Sequence, residues 1–319
     1  MDATNNVTYT YDNNQSSSTK GLMLGITMTG PLATYTETMS YDSNKRVSSR
    51  TWTRDGLSYT TSYQYNTANQ MTRITYPVSL RTLNINHDDK GRLSSVADQY
   101  RTYLSGLVFN PAGQVTSQSY GNGVTESFTY NSRMQMSSQA ATVSGNTRMS
   151  LTYNYQAAAG QSGVGTTAGN TGQLMAINNN STIGGTAESA AFTYDLQGRL
   201  ITSNQTTNGA SAQRRFAYDR WGNRTGVWNA VSGGNQIQSI TLQQSGGAPT
   251  NRIQSVTSGS TLNYTYDAAG NVLSDGQHTY SYDAENRLKG IDAGTANPSY
   301  YAYDHANRRI KKVSGGVIT

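Results

Sequence analysis

Side chains capable of metal or nucleophilic chemistry are few and scattered in this chain. The 319 residues include three histidines, His87, His278 and His305, and no cysteine. A metal ion needs three or four converging ligands, often at spacings such as His-Xaa-Xaa-Xaa-His, and these histidines have no such spacing. The absence of cysteine also excludes a thiol nucleophile. The sequence therefore predicts neither a metal site nor a cofactor.

Carboxylates give no clearer sign of catalysis. Asp88 and Asp89 are adjacent and could supply half of an acid–base pair, but Asp88 occupies a predicted turn. The sequence contains no glycine-rich phosphate loop and no nucleophile elbow. We predict that the chain is not an enzyme. The catalytic alternative is a glycan hydrolase with two carboxylates about 5–9 Å apart.

Most acidic residues belong to a repeated unit, which is clearest between Phe192 and Leu200. Phe192 and Tyr194 are two residues apart and therefore project from one face of a strand, whereas a helix brings together residues three or four apart. Asp195 suits the first position of a tight turn, and Gly198 suits the left-handed position that follows a type I turn. The unit is therefore predicted to be a strand, a turn and a returning strand.

Twelve copies of this unit align on the Tyr position, most of them 21 to 24 residues apart. The marker residues are Tyr11, Tyr41, Tyr65, His87, Phe109, Tyr130, Tyr153, Tyr194, Tyr218, Tyr266, Tyr282 and Tyr303. The residue after the marker is always Asp or Asn. Because a lone hairpin is barely stable in water, the copies are expected to pair with one another in a continuous sheet.

Ten copies have a short turn, and eight of these carry Gly or Asn three residues after the Asp or Asn. Gly and Asn accept positive φ most readily. Lys45 and Met134 occupy this position in the other two copies, where we expect a different turn. The residues predicted to define the clearest repeats are Tyr11, Asp12, Tyr41, Asp42, Tyr194, Asp195, Gly198, Arg199, Tyr218, Asp219, Gly222, Tyr266, Asp267, Gly270, Tyr282, Asp283, Asn286, Arg287, Tyr303, Asp304, Asn307 and Arg308.

The unit Tyr-Asp-Xaa-Xaa-Gly-Arg-Leu resembles the YD repeats of the Rhs family, which includes bacterial polymorphic toxin shells, the C component of insecticidal toxin complexes, and the teneurins. Residues 194–200, 218–224, 282–288 and 303–309 carry the resemblance most clearly, and it extends over nearly all of the chain. It implies a long β-sheet that spirals into a hollow shell, often around a toxic C-terminal domain. The family's self-cleaving aspartate segment has no match here, so the resemblance implies no protease residues.

We therefore expect an all-β fold in which tandem YD-repeat hairpins form a long, curled or spiral antiparallel sheet. Residues 1–319 should form a single continuous array of about twelve repeats, with a long loop near residues 157–180. The array begins and ends within repeats, which favours a segment of a longer shell. A hydrophobic content of only 34%, together with 23 Tyr, indicates a thin aromatic layer instead of a thick aliphatic core.

The net charge of +6 does not indicate a nucleic-acid binder, because the basic residues that follow the turns are spread along the array by its period. We expect these arginines to pack over Tyr rings and to pair with the turn Asp. The arginines in question are Arg46, Arg92, Arg199, Arg287 and Arg308. No run of 18 apolar residues occurs, so no transmembrane segment is predicted.

The resemblance implies a non-catalytic structural shell segment that encloses, protects or presents a polypeptide, typically a toxin, in a secreted or cell-surface bacterial protein. The expected partners are that polypeptide and neighbouring shell segments or copies of the chain, which would pair through unguarded edge strands into oligomers or filaments. The alternative is an adhesion module that binds surface glycans. Trp52, Trp221 and Trp228 are its candidates for stacking on sugars, although packing within the sheet is the favoured role for these rings.

Overall fold

The computed structural model of the chain describes residues 6–30, 34–54, 56–157, 169–181, 188–230 and 232–318. These residues form two compact units, one built from residues 1–101 with 264–319 and the other from residues 102–263. Each unit consists of β-strands and the turns that join them. No helix in the described ranges is long and apolar enough to cross a membrane.

The first unit begins with eight strands. They are β1 (Asn6–Tyr11), β2 (Met23–Thr29), β3 (Thr34–Tyr41), β4 (Val47–Arg54), β5 (Leu57–Tyr65), β6 (Met71–Thr75), β7 (Thr82–His87) and β8 (Leu93–Ala97). Each strand pairs antiparallel with the next along the chain.

The second unit continues the same pattern. Its strands are β9 (Thr102–Phe109), β10 (Val115–Tyr120), β11 (Val124–Tyr130), β12 (Met136–Val143), β13 (Asn146–Asn154), β14 (Gln156–Ala157), β15 (Gly169–Asn170), β16 (Ala176–Asn179), β17 (Glu188–Tyr194), β18 (Leu200–Thr207), β19 (Ala210–Tyr218), β20 (Arg224–Trp228), β21 (Gln236–Ser245), β22 (Ala248–Ser258) and β23 (Ser260–Asn263). Apart from the small β14–β15 pair, these strands form one antiparallel succession in which β13 pairs directly with β16.

The chain then returns to the first unit in two smaller sheets. A two-stranded sheet contains β24 (Thr265–Tyr266) and β25 (Val272–Ser274). A five-stranded antiparallel sheet contains β26 (Tyr280–Tyr282), β27 (Leu288–Ile291), β28 (Ser299–Tyr303), β29 (Arg309–Ser314) and β30 (Val317–Ile318). The predicted all-β chain of antiparallel hairpins is therefore confirmed.

The ten short turns share one backbone geometry. In each of them the N–H of the turn Asp or Asn donates to the carbonyl four residues on, and the N–H of the third residue after it donates back to its carbonyl. The pairing register shifts at the marker in most copies, as it does between Ser40 and Tyr41. The predicted left-handed position is confirmed, because φ is +80° at Gly198, +90° at Gly222 and +97° at Gly270.

The expectation of a different turn at Lys45 and Met134 is wrong. Lys45 has φ of 63° and Met134 has φ of 62°, and each makes the same two backbone hydrogen bonds as its glycine counterparts. A left-handed residue other than glycine costs roughly 1–2 kcal/mol in local strain. The two residues remain left-handed because the neighbouring strands and the hydrogen bonds of the turn fix the backbone, so tertiary context overrides residue preference here.

The long loop predicted near residues 157–180 contains two strands in its described part, β15 and β16. Residues 158–168 lie outside the described residues. β16 extends the main succession of strands between β13 and β17. The prediction of a single continuous array over the whole chain stays a prediction.

Buried side chains are few and concentrated in the first unit. Ile26 and Met28 of β2 and Tyr35 and Met39 of β3 point into one core, because alternate residues of a strand share a face. Glu37 lies between Tyr35 and Met39 and is fully buried with them. A charged residue in a core of this size must be paired, and its partners are described below.

A substitution at Gly222 tests the turn geometry. A Cβ built on Gly222 would meet no heavy atom within 4 Å, so only its φ of +90° opposes substitution. We expect Gly222→Val to lower the stability by roughly 1–2 kcal/mol, because a β-branched residue resists positive φ. Gly222→Asn should be much milder, since Asn occupies the same position at Asn286 and Asn307. Thermal melts of the two variants provide the measurement, and coincident curves would contradict the assignment.

Candidate functional site

The turn Asp or Asn is the centre of a repeated polar cluster. In all ten short turns its Oδ1 atom accepts the backbone N–H of the fourth residue on, at distances such as 2.9 Å between Arg46 N and Asp42 Oδ1. The second atom of the same side-chain group meets the side chain of that fourth residue. Backbone and side chain of the returning strand are therefore held by one residue, as expected for an Asx turn.

The chemistry of this side-chain pair follows a simple rule. Five copies pair an Asp carboxylate with Arg, two pair Asp with Asn, and three pair Asn with Gln. An acceptor-only carboxylate is always matched with a donor, whereas the Asn amide donates to a Gln carbonyl oxygen. The Asp and Asn copies therefore form the same hydrogen-bonded side-chain pair with different chemical groups.

The fourth residue also reaches the turn of the following repeat. Arg46 Nη1 donates to the Asn66 carbonyl oxygen at 2.9 Å, and Arg199 Nη1 donates to the Asp219 carbonyl oxygen at 2.8 Å. The Gln version makes the same link, because Gln70 Nε2 donates to the carbonyl oxygen of Gly91 at 2.6 Å. Six pairs of successive short turns are hydrogen-bonded in this way.

The marker tyrosine makes the reverse link, from one repeat to the one before it. The hydroxyl of Tyr65 donates to the carbonyl oxygen of Val47 at 2.9 Å, and that of Tyr218 donates to the carbonyl oxygen of Leu200 at 2.8 Å. Four other markers make the corresponding bond, and these are Tyr41, Tyr130, Tyr194 and Tyr303. In five cases the accepting carbonyl belongs to the first residue of the strand that follows the preceding turn or insertion, and Leu174, the acceptor for Tyr194, lies just before β16.

Arginine over tyrosine completes the link between neighbouring repeats. The Arg46 guanidinium carbon lies 4.7 Å from the ring centre of Tyr65, and that of Arg199 lies 5.1 Å from the ring centre of Tyr218. The marker tyrosines Tyr194, Tyr218 and Tyr282 are half-buried. A half-buried ring under a guanidinium gains from cation–π attraction while its hydroxyl stays hydrogen-bonded.

Hydrogen bonding lowers the pKa of five turn carboxyls, those of Asp42, Asp88, Asp195, Asp219 and Asp267. The backbone N–H of Arg46 has the largest effect on the pKa of Asp42, and the side chain of Arg92 has the largest effect at Asp88; both lower it. At Asp195 burial raises the pKa, but the hydrogen bonds from Arg199 outweigh burial and the pKa is lowered. The carboxylates of Asp42, Asp88 and Asp195 are therefore held in their charged, acceptor form.

The turn residue of the first repeat, Asp12, also closes its turn by hydrogen bonds, although an insertion follows it. Asp12 N–H donates to the Leu22 carbonyl oxygen at 2.9 Å, across ten residues instead of four. The Asp12 carboxylate then accepts hydroxyl hydrogen bonds from Ser17 at 2.5 Å and from Thr19 at 2.6 Å. Hydroxyls of the insertion replace the arginine of the short copies, and they lower the pKa of Asp12.

A second polar cluster, around Glu37, differs from the turns because it is buried. Glu37 Oε2 accepts the Tyr35 hydroxyl at 2.5 Å and lies 3.7 Å from Arg308 Nη2. Arg50 Nε lies 2.6 Å from Glu37 Oε1, which makes no hydrogen bond within the described residues. Arg308 also pairs with its own turn residue Asp304, at 2.6 Å from Nη2 to Oδ2. Burial and the hydrogen bond to Glu37 raise the pKa of Tyr35.

The Glu37 cluster joins distant parts of the chain inside the first unit. Glu37 and Arg50 belong to β3 and β4, whereas Asp304 and Arg308 belong to the turn between β28 and β29. Asp304 is only 1% exposed, although turn residues are ordinarily solvated. The last repeat turn is therefore packed against the inner face of the N-terminal strands.

Sequence reasoning missed Tyr35, Glu37 and Arg50, since none of them occupies a repeat position. A usable signal exists in the alternation of β3, where Glu37 falls on the same face as Tyr35 and Met39. A charge at an apolar position of a strand indicates a buried partner. The identity of that partner could not be read from the sequence, because Arg308 is 271 positions away along the chain.

An open cavity of about 410 Å³ adjoins the Glu37 cluster. Its walls are formed by β3, β4, β5 and the β28–β29 turn. The lining residues are Tyr35, Arg50, Trp52, Arg54, Thr61, Tyr63, Asp304, Arg308, Arg309 and Ile310. Trp52 stacks on Tyr59, with ring centres 4.4 Å apart and planes inclined by 21°.

The three tryptophan candidates have different surroundings. Trp52 lies in the cavity wall, and Trp221 is 59% exposed in a turn with Arg220 at 4.6 Å from its ring centre. Trp228 is half-buried and covered by Arg215, at 3.9 Å. Trp52 belongs to the first unit, whereas Trp221 and Trp228 belong to the second. Within the described ranges no group of three or more potential ligands could hold a metal ion.

Replacing the Asp195–Arg199 pair with the Asn–Gln pair of other copies tests the role of the turn side chains. Asp195→Asn leaves Arg199 without a carboxylate and should lower stability by about 1 kcal/mol. The double variant Asp195→Asn/Arg199→Gln should recover most of that loss, because the chain already uses the Asn–Gln pair three times. Thermal melts of the two single variants and the double variant give the coupling between the positions. Additive losses would show that the two side chains act independently.

The lowered carboxyl pKa values predict loss of stability in acid. A carboxyl whose pKa is lower in the folded state stabilises the fold above its unfolded pKa, about 3.9 for Asp, and stops doing so as pH falls through the folded pKa. The melting temperature should therefore fall steadily from about pH 5 to about pH 2. The Asp195→Asn/Arg199→Gln variant, with one such carboxyl fewer, should show a shallower fall. A flat profile over this range would contradict the prediction.

The family model described as Teneurin YD-shell matches residues 122–318 of the chain. No curated protein matches it. Among solved structures, a TcdB2–TccC3 crystal structure is similar with a TM-score of 0.69 and 14% identity, over 97% of this chain and 19% of that chain. A Photorhabdus luminescens Tc holotoxin pore gives a TM-score of 0.66 with 14% identity, over 97% of this chain and 18% of that chain.

A third similar structure is TcdB2–TccC3 without its hypervariable C-terminal region, with a TM-score of 0.65 and 15% identity, over 97% of this chain and 18% of that chain. At such low identity these likenesses show the fold, and the chain spans less than a fifth of the length of each structure. The matched residues 122–318, by contrast, make up more than half of the sequence. They contain seven of the marker tyrosines and the turns or insertions that follow them. The chain therefore belongs to the teneurin YD-shell family.

Proposed function

We propose that this chain is a non-catalytic structural segment of a YD-repeat shell that encloses, protects or presents another polypeptide, such as a toxin. The observation that carries the proposal is the linkage between successive turns. The side chain that closes one turn also donates to the next, as Arg46 does to Asn66 and Arg287 Nη1 does to Asp304 at 3.3 Å. Polar side chains that could do chemistry in another fold are used here to join repeats.

A thin shell wall depends on contacts between neighbouring repeats more than on a thick hydrophobic core. This chain has many such contacts and few buried side chains. The largest fully buried side chains among the described residues are those of Ile26, Met28, Glu37 and Asp304, and two of these four are carboxylates. Six marker tyrosines instead donate to the preceding repeat, and three arginines lie over the marker tyrosine of the next repeat. The likeness to Tc complexes that contain TccC3 supports a wall in a toxin-associated assembly. We assign the protein to a secreted or cell-surface location on the same grounds.

Edge strands offer the route by which such segments would join. β1 has the sequence Asn-Val-Thr-Tyr-Thr-Tyr, rich in good strand formers, and Tyr9 and Tyr11 are 46% and 50% exposed. It carries no charge and no proline, the features with which strands usually block further pairing. We therefore infer that neighbouring shell segments or other copies of the chain add to the sheet through such strands.

Protease protection of a fused polypeptide tests enclosure. The chain is fused to an unstructured reporter of about 100 residues and digested with proteinase K, and intact reporter is followed by mass spectrometry. Because a protease cleaves only chain that is open to it, enclosure should prolong the life of the reporter about tenfold or more. The controls are the same reporter mixed in trans with the chain, and the reporter fused to an unrelated β-protein. Equal cleavage rates in all three samples would overturn enclosure.

A further inference from the structure

We propose that the cavity beside the Glu37 cluster binds an acidic saccharide unit, of the uronate class. This inference does not depend on the enclosure of a polypeptide. It begins with the charge balance of the cavity. The arginines Arg50, Arg308 and Arg309 line it together with Asp304, and Glu37 lies beside it. These five residues carry a formal surplus of one positive charge.

The two buried carboxylates orient arginines toward the cavity. Glu37 holds Arg50 through Nε at 2.6 Å, and Asp304 holds Arg308 through Nε at 2.7 Å and Nη2 at 2.6 Å. Among the described residues, the Nη atoms of Arg50 and Nη1 of Arg308 make no hydrogen bond. The guanidinium groups are thus anchored from one side and keep donors for a ligand on the other. Their side chains are 34% and 55% exposed.

A planar carboxylate is the ligand group that best matches these donors, because a guanidinium fork binds it through two parallel hydrogen bonds. A polyphosphate is disfavoured, since Glu37 and Asp304 would repel its additional charges at short range. Arg309, which is exposed and lies with its guanidinium 5.6 Å from the Tyr301 ring centre, adds charge at the cavity wall. The geometry therefore points to a ligand with a single negative charge on each unit.

The remaining wall suits a sugar ring. Trp52 is held by stacking on Tyr59, so its indole is a rigid surface, and Tyr63 lies in the same wall. Aromatic faces of this kind pack against the apolar side of a pyranose, while Thr61 and Tyr63 offer hydroxyls to the polar edge. The volume of about 410 Å³ lies within the range of small-ligand sites. The charge, the aromatic surface and the hydroxyls of the cavity together match an acidic sugar.

Calorimetric titration with sodium glucuronate tests the proposal, with glucose as the uncharged control of the same ring size. We expect glucuronate to bind and glucose to bind at least about tenfold more weakly, the equivalent of one charge-assisted hydrogen-bonded pair. Arg309→Gln should weaken glucuronate binding about tenfold. The matched control is Arg73→Gln, an exposed arginine of the same unit that donates to Asn84 outside the cavity.

Trp52→Leu supplies an independent test of the aromatic wall, with Trp221→Leu as its control. Circular dichroism and melting curves establish that each variant is folded, and Arg309→Gln keeps the test decisive if Trp52→Leu does not fold. Absence of glucuronate binding, equal binding of glucose, or binding unchanged by Arg309→Gln would overturn the proposal. Tighter binding of adenosine monophosphate or of an acidic peptide than of glucuronate would overturn the saccharide assignment.

Discussion

The interaction on which the rest of the structure depends is the hydrogen bond from the returning strand to the side chain of the turn Asp or Asn. A turn of this kind leaves backbone N–H groups pointing into a tight space, where they need an acceptor. Oδ1 of the Asx residue supplies it in every short turn, from Asp42 to Asp304. Once the turn is closed, the backbone of the fourth residue is fixed in place, and in six turns its side chain reaches the turn of the next repeat. Closure of the turn thus supports the contact between repeats.

This coupling explains why the chain tolerates degenerate repeats. What must be kept is a match of donor and acceptor, not a particular pair of residues. Asp with Arg, Asp with Asn, and Asn with Gln all satisfy it, and each version still reaches the next repeat, as Arg199, Asn271 and Gln70 show. The Asn–Gln pairs lack a charge-assisted hydrogen bond, but their hydrogen bonds do not depend on the ionisation of a carboxyl group. Lys45 and Met134 show the same tolerance in the backbone, because a residue with an unfavourable φ is kept in place by the bonds around it.

The Glu37 cluster follows a different principle. A buried carboxylate costs solvation, which is offset only when charged partners converge on it. Arg50, Arg308 and the Tyr35 hydroxyl do so here, and in converging they fix the last repeat turn against β3 and β4. Such a cluster contributes specificity of packing between remote segments, because no other turn of the unit presents the same pair of residues, a buried Asp304 with Arg308, to that face. The cavity beside it owes its charge to the same arrangement.

The sequence by itself determined the local architecture. Period-two spacing at Phe192 and Tyr194, together with Asp195 and Gly198, predicted strand, turn and left-handed residue, because these depend on interactions within a few residues. It also indicated that arginines such as Arg199 would serve the turns. It could not predict that Met134 adopts the glycine conformation, since tertiary hydrogen bonds impose it. Only the tertiary structure decided that Glu37 meets Arg308, because nothing local to either residue selects a partner from the opposite end of the chain. Burial of Glu37 becomes favourable only when the fold has brought its charged partners to it.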